Sequence, residues 1–398
     1  MFHVQLTASS TSAAAHSKSV LDLSASGPIV ASSGYDGAIR LWDVSRGHLK
    51  LLHEEQLNSG PVFSVVLTRL ADGALLLGAG SYCRRLRVWQ TSDDDAINLR
   101  LRWLSTQHTG WCRALAVAKK GSSPEAMYSV GCNRVLGWSL LQPDASSAAR
   151  APPRTCDGEV VLYEDAAEVR SHDIYCLAHG DDEEALAAGS VDGALRTWST
   201  CSLADAAAEL PSRRPDHWIG HDDRVAAVAW QGGQLMSAGY DGWVRSWRRP
   251  SETPREAHGD SGGGGSRLSG RWDLSGQVQV TSTAVGRALC LASSSGGVAG
   301  GAPASGPAPR SGDGLGTEPT VISLCGTSDG ELVALRAASS GLEAVGRLGL
   351  GGVKTRRVTA AVGVPAAPAH GEDDGKPAHT FVVGDSEGNL HFVQAVEA

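Results

Sequence analysis

Thirteen histidines, 43 acidic residues and eight cysteines are enough to build a metal site, an acid–base pair or a nucleophilic triad, so their spacing decides. His217 and His221 lie four apart, a spacing that shares a face only on a helix. Trp218 and Gly220 between them speak against one. Asp181-Asp182-Glu183-Glu184 has the oxygens for a cation, but such a run reads first as a solvated loop. The cysteines stand singly, none paired at the two-residue spacing of a zinc site. Those in apolar runs, as in Tyr175-Cys176-Leu177 and Leu289-Cys290-Leu291, read as small core residues in a reducing compartment. Neither a phosphate-binding loop, His-Glu-x-x-His nor a dinucleotide fingerprint occurs. We therefore expect no catalytic residue, metal ligand or cofactor.

What the polar residues do form is a repeat. Gly34-Tyr35-Asp36-Gly37-Ala38-Ile39-Arg40-Leu41-Trp42 and Gly239-Tyr240-Asp241-Gly242-Trp243-Val244-Arg245-Ser246-Trp247 are near copies. Gly189 to Trp198 is a third. The segments ending at Trp89 and Trp138 lose the Asp-Gly, and those at Gly326 to Leu335 and Gly384 to Val393 lose the Trp. Asp-Gly is a tight-turn signal between antiparallel strands, because Gly accepts positive φ. Each unit reads as an apolar strand, a second strand, the turn and a third strand ending near Trp; in the fifth unit these are Val225 to Trp230, Gln234 to Ala238 and Trp243 to Trp247. An outer strand follows in most units, at Leu49 to Gln56, Leu99 to Leu104, Glu159 to Glu164, Arg271 to Leu274 and Glu343 to Leu348. Arg40, Arg87, Arg196 and Arg245 each precede the Trp by two and share its face.

This pattern resembles the WD-repeat β-propeller family over nearly the whole chain. Seven units imply an all-β, seven-bladed propeller of four-stranded antiparallel blades, one unit over residues 1–398. Phe2 to Thr7 is expected to supply the outer strand of the last blade, closing two open edges. The resemblance also implies buried tetrads of His, Ser/Thr, Asp and Trp: His16, Ser32, Asp36 and Trp42 in the first unit, and His221, Ser237, Asp241 and Trp247 in the fifth. The fourth has His172, Asp192 and Trp198 with Ala188 at the hydroxyl place. The third has His108, Ser129 and Trp138 with Asn133 for Asp. The second, sixth and seventh units are degenerate, and incomplete tetrads should mark weaker blades.

The net charge of -8 argues against direct nucleic-acid contact. No apolar run is long enough for a membrane-spanning helix, so we expect no membrane insertion. The Ser/Ala-rich N-terminus, with no acid before Asp22, echoes an organelle import signal. Its use as a strand favours a cytoplasmic or nuclear protein. In the family's geometry the insertions at about 142–157, 248–269, 293–319 and 365–377 fall on the bottom face, and their Gly, Ser, Ala and Pro content makes them flexible linkers.

The top face carries the candidate site. The residue before the turn Asp, or its equivalent, is Tyr35, Tyr82, Cys132, Val191, Tyr240, Ser328 or Ser386. The residue before each first strand is Ser19, Pro61, Trp111, Asp173, Arg224, Arg287 or Arg357. Tyr35, Tyr82, Trp111, Tyr240, Arg224, Arg287 and Arg357 are the types that carry interface hot spots, and Arg grips carboxylate or phosphate with two bonds. The expected function is a non-catalytic scaffold or adaptor. It would be a monomeric propeller within a multi-protein complex, gripping an acidic or phosphorylated peptide on this face. One alternative is a substrate receptor of a cullin-RING ubiquitin ligase, although Trp42-Asp43-Val44-Ser45-Arg46 has one residue too many for the Trp-Asp-x-Arg box. The other is a propeller hydrolase with its site at the channel mouth.

Overall fold

The computed structural model describes residues 3–397 apart from 13, 92–97, 107, 121–122, 133, 141–158, 165–172, 181–183, 201–214, 232, 250–271, 282–285, 296–320, 339–340, 351–355 and 366–377. Strand β1 (Val4–Ser12) comes first. Blade 1 is β2 to β5, at Val20–Ser26, Ile29–Gly34, Ala38–Asp43 and Lys50–Gln56. Blade 2 is β6 to β9, at Val62–Arg69, Leu75–Ser81, Leu86–Thr91 and Leu99–Ser105. Blade 3 is β10 to β13, at Cys112–Lys120, Ser123–Gly131, Arg134–Ser139 and Glu159–Glu164. Blade 4 is β14 to β17, at Ile174–Gly180, Ala185–Ser190, Ala194–Ser199 and Asp216–Ile219. Blade 5 is β18 to β21, at Val225–Gln231, Gln234–Gly239, Trp243–Arg248 and Asp273–Gln279. Blade 6 is β22 to β25, at Ala288–Ser295, Val321–Thr327, Glu331–Ala338 and Gly341–Gly349. Blade 7 joins β26 (Val358–Val364), β27 (Ala378–Asp385) and β28 (Leu390–Glu397) to β1.

The seven sheets are antiparallel and four-stranded. Inner strands touch their neighbours in order, and β26 returns to β2, so the ring is closed. Closure is made by the N-terminal strand, which runs from Val4 opposite Glu397 to Ser12 opposite Leu390. This strand is longer than Phe2 to Thr7, because a bulge between Ala8 and Ser10 carries the pairing onward. One other boundary is corrected. The outer strand of blade 5 is Asp273–Gln279 rather than Arg271 to Leu274, since the short apolar signal at Trp272 marks only where it begins. His217 lies in β17, a strand, which removes the helical pairing with His221. The expected insertions fall outside the described residues except at their edges, where Arg248 ends β20 and Ser293–Ser295 end β22.

The core is seven interfaces rather than one centre. Each apolar cluster takes residues from two neighbouring blades: Ile39 and Leu41 of blade 1 pack with Leu77 and Trp89 of blade 2. Trp42 packs against Val382 and Phe392 of blade 7. Trp138 and Trp247 likewise enter the interface with the preceding blade. Leu335 and Val393 fill that place in blades 6 and 7, so the missing tryptophans leave smaller side chains in the same interface. Five turn glycines, Gly37, Gly193, Gly242, Gly330 and Gly388, share φ values of +79° to +88°, where Gly carries no steric cost. Blade 2 places Arg84 there at +65°.

Candidate functional site

Two constellations were expected, one internal and one at the surface. The internal one forms in blades 1 and 5 with the same geometry. Trp42 Nε1 donates to Ser32 Oγ at 2.9 Å, and Ser32 Oγ lies 2.8 Å from His16 Nε2. His16 Nδ1 lies 3.0 Å from Asp36 Oδ1. The corresponding distances in blade 5 are 2.9, 2.8 and 2.9 Å for Trp247, Ser237, His221 and Asp241. One proton order satisfies every atom: Trp donates to Ser, Ser to His Nε2, and His Nδ1–H to Asp. Arg40 and Arg245 complete the assembly through Asp36 at 3.1 Å and Asp241 at 2.6 Å. They approach His Nδ1 at 2.7 Å as packing neighbours, because that nitrogen already donates to the Asp. Burial alone would raise the Asp36 and Asp241 carboxyls. The hydrogen bond from the His outweighs it, with help from backbone N–H groups, and holds both well below the usual carboxylate range.

Blade 3 keeps part of the arrangement: His108 to Ser129 and Trp138 to Ser129, each at 2.8 Å. His108 Nδ1 has no hydrogen-bond partner among the described residues. Burial first, and then the Arg134 charge, lower the His108 pKa to about 4. His172 and Asn133 lie outside the described residues.

The remaining blades are braced differently, which the repeat alone did not reveal. In blades 1, 3 and 5 a glycine backs onto the His: a Cβ on Gly34, Gly131 or Gly239 would lie 2.2–2.6 Å from Nδ1. In blades 2, 4, 6 and 7 the equivalent residue is Ser81, Ser190, Thr327 or Asp385, and its polar atom takes over the turn. Ser190 Oγ bonds Asp192 and accepts from Arg196 at 2.6 Å. Thr327 Oγ1 bridges the Glu331 backbone. Asp385 accepts from His391 at 3.0 Å, Asn389 at 2.8 Å and two backbone N–H groups. These bonds overcome the upward pull of burial and lower its pKa to about 2. In blade 2, Cys83 stands where Asp would. Burial pulls its thiol up, but Ser81, Ser59 and Arg87 bring it down to about 7, so a thiol takes the carboxylate's part against Arg87 at 3.6 Å. The seventh blade, expected to be degenerate, is thus braced by a carboxylate of its own.

At the surface, the two families of top-face positions meet in pairs. The backbone N–H of the turn residue donates to the carbonyl of the pre-strand residue: Tyr35 to Ser19, Tyr82 to Pro61, Val191 to Asp173, Tyr240 to Arg224, Ser328 to Arg287 and Ser386 to Arg357, all at 2.8–3.0 Å. Just beyond each pair, the inner strand carries a bulge. Pairing skips between Val62 and Ser64, Cys112 and Ala114, and Ile174 and Cys176, and at the matching place in the other four blades. The skipped residues include Phe63, Arg113 and Tyr175, whose side chains line the mouth of a central cavity of about 460 Å³. A bulge re-aims a side chain in this way.

The result is a continuous arc across blades 2 to 6. Tyr82, Phe63 and Trp111 contact one another, with Tyr82 and Trp111 ring centroids 5.1 Å apart. Arg113 lies 4.7 Å from the Trp111 ring and 5.0 Å from Tyr175. Arg224 lies 5.0 Å from Tyr175 and 5.2 Å from Tyr240, and Arg287 4.7 Å from Tyr240. Burial, then the neighbouring Tyr175 hydroxyl, raises the Tyr240 pKa above its ordinary 10.0, so the phenol stays neutral. Of the residues expected here, Tyr82, Trp111, Arg224, Tyr240 and Arg287 belong to the arc. Arg357 lines the cavity beyond it, and Tyr35 stands apart under Lys18 at 5.6 Å. Phe63, Arg113 and Tyr175 escaped the sequence reading, although each stands one or two residues after a predicted pre-strand position.

Arg113, Arg224, Arg287 and Arg357 make no ion pair among the described residues, whereas Arg40, Arg245, Arg336, Arg347 and Arg356 all do. Stacking holds a guanidinium plane while leaving its N–H edge for an anion. Deeper in the cavity lies one carboxylate, Asp22, and no histidine among the described lining residues, so the paired acid and base of a hydrolytic site are not brought together there.

The family model described as WD domain, G-beta repeat matches residues 9–43 and 165–199. The first match runs from β1 through β4, so the unit of sequence is offset by one strand from the blade. No curated protein was found to match the chain.

Proposed function

We propose that this WD-repeat β-propeller is a non-catalytic scaffold that binds an acidic or phosphorylated segment of a partner protein across the arc from Tyr82 to Arg287. One observation carries the reading: three arginines are stacked on aromatic rings at a cavity mouth, and none of them is in an ion pair among the described residues. Uncompensated Arg beside Tyr and Trp is the composition of a binding hot spot. A wide face of this kind suits assembly of several proteins, and the six described cysteines are free, which fits a reducing compartment such as cytoplasm or nucleus.

The test is affinity purification with mass spectrometry from the native cell, comparing the parent chain with the triple variant Arg113→Glu, Arg224→Glu, Arg287→Glu. Circular dichroism and an unchanged Tm establish that the variant is folded. The expected outcome is loss of the specific partners, with phosphatase treatment of the lysate separating phosphorylated from carboxylate ligands. Full partner recovery by the folded triple variant would refute the assignment.

A further inference from the structure

The arc has two chemically different ends. At blades 2 and 3 it is aromatic and open: Tyr82 is 47% and Trp111 39% exposed, and Phe63 packs beneath both. From Arg113 onward it becomes an alternation of Arg and Tyr, with Arg113 and Arg224 both against Tyr175 and Arg224 and Arg287 both against Tyr240. The aromatic end has little room for a cation, because Arg113 already occupies the faces of Phe63 and Trp111 at 5.4 and 4.7 Å. What it offers is exposed apolar area. The other end offers three guanidiniums in succession, each neighbouring pair separated by a Tyr ring that both contact.

We propose that the arc takes one extended, unphosphorylated segment with an aromatic or large aliphatic anchor on Tyr82 and Trp111, followed directly by a run of Asp or Glu along Arg113, Arg224 and Arg287. This rests on the top-face reading above and narrows it. Guanidiniums distributed along a line match carboxylates spaced along a chain. A single phosphate is instead best held by donors that converge. Followed contact by contact, the path is roughly 30 Å, an upper bound on the span, so about nine residues of extended chain at ~3.3 Å each are the most it can seat. Trp111 and Arg113 touch, so the first acid follows the anchor within one or two residues. The backbone bonds at Tyr82, Arg224, Tyr240 and Arg287 hold the main chain at these positions in advance, which lowers the ordering cost of binding.

The experiment is selection of a displayed library of random 12-residue peptides on the immobilised full chain, then fluorescence anisotropy with the enriched peptides as synthetic probes. The expected consensus is an aromatic or large aliphatic residue followed by three or more acids. Replacing the peptide's anchor by Ala, or Trp111→Ala or Tyr82→Ala in the protein, should weaken binding about tenfold, and Arg224→Glu at least as much. Ile219→Ala, on an exposed apolar side chain of an outer strand, should change nothing and controls for general stickiness. Probes that ignore Tyr82 and Trp111 but need the arginines overturn the anchor while leaving the acidic-segment reading standing. So does binding that appears only when a serine in the probe is phosphorylated. Enrichment of peptides without acids, or of none at all, overturns the inference; arginine variants that then still recover partners from cells sink the broader reading separately.

Discussion

At the scale of single residues, the fold is held by an exchange between two kinds of brace. A His needs a Gly behind it; where the Gly becomes Ser, Thr or Asp, the new side chain bonds the turn itself. Gly34→Ser should therefore be severe, because the added Cβ would sit 2.3 Å from His16 Nδ1 and break the bonds to Asp36 and Ser32. We expect a loss of about 2–4 kcal/mol, read from urea unfolding. The double variant Gly34→Ser, His16→Ala makes room for the hydroxyl beside Asp36, as Ser190 sits beside Asp192, and should regain at least ~1 kcal/mol over the single one. Simple additivity of the two substitutions would show that the braces are independent. Half of this was legible beforehand. The Asp and Trp were marked by their spacing from the turn, and the His and Ser by the family resemblance. The exchange was hidden because Ser81, Ser190, Thr327 and Asp385 read as ordinary turn residues, and what their side chains bond appears only in the structure.

At the scale of strands, seven inner bulges do what no sequence pattern announced. The bulged residues Leu21, Phe63, Arg113, Tyr175, Ala226, Leu289 and Thr359 share no residue type, so alternation along the strand gave no warning that they turn into the cavity. The turn positions were readable because Asp-Gly and the Trp fix their place. The same inner strands are tied to one another below the mouth. Asp22 of β2 accepts from Ser64 Oγ at 2.6 Å and Val65 N at 3.0 Å in β6, and Ser64 Oγ accepts from Leu115 N at 3.1 Å in β10. Burial dominates these bonds and raises the Asp22 pKa to about 6. A carboxyl raised above its ordinary 3.8 favours the folded state while protonated, so its contribution is full below about pH 3.8 and is lost as pH rises through about 6. Asp22→Asn keeps an acceptor without the buried charge. Its Tm should exceed the parent's by about 3 °C or more at pH 7.5, with the gap shrinking between pH 6 and pH 4. A gap that is constant over that range would mean that Asp22 does not titrate there.

At the scale of the whole molecule, stability is shared among seven interfaces in a closed circle, and the circle depends on β1. Val4 and Leu6 are buried at the interface of blades 6 and 7, each contributing about 1.5–3 kcal/mol, and the strand pairs along β28 from Val4 to Ser12. Removing residues 1–12 should cost more than ~3 kcal/mol and leave β28 as an open edge prone to pairing with other chains. Thermal unfolding and size-exclusion chromatography would show it; an unchanged Tm with a clean monomer peak would overturn the closure argument. That same pairing sets an order in time. β1 leaves the ribosome before the other strands of the propeller, and its partner β28 is about 380 residues behind it. At 5–20 residues per second that is a wait of roughly 20–80 s, during which six blades can be completed and the seventh cannot. While the propeller is being made, the nascent chain is therefore an unclosed arc preceded by one unmatched strand, the interval in which a chaperone has most to protect.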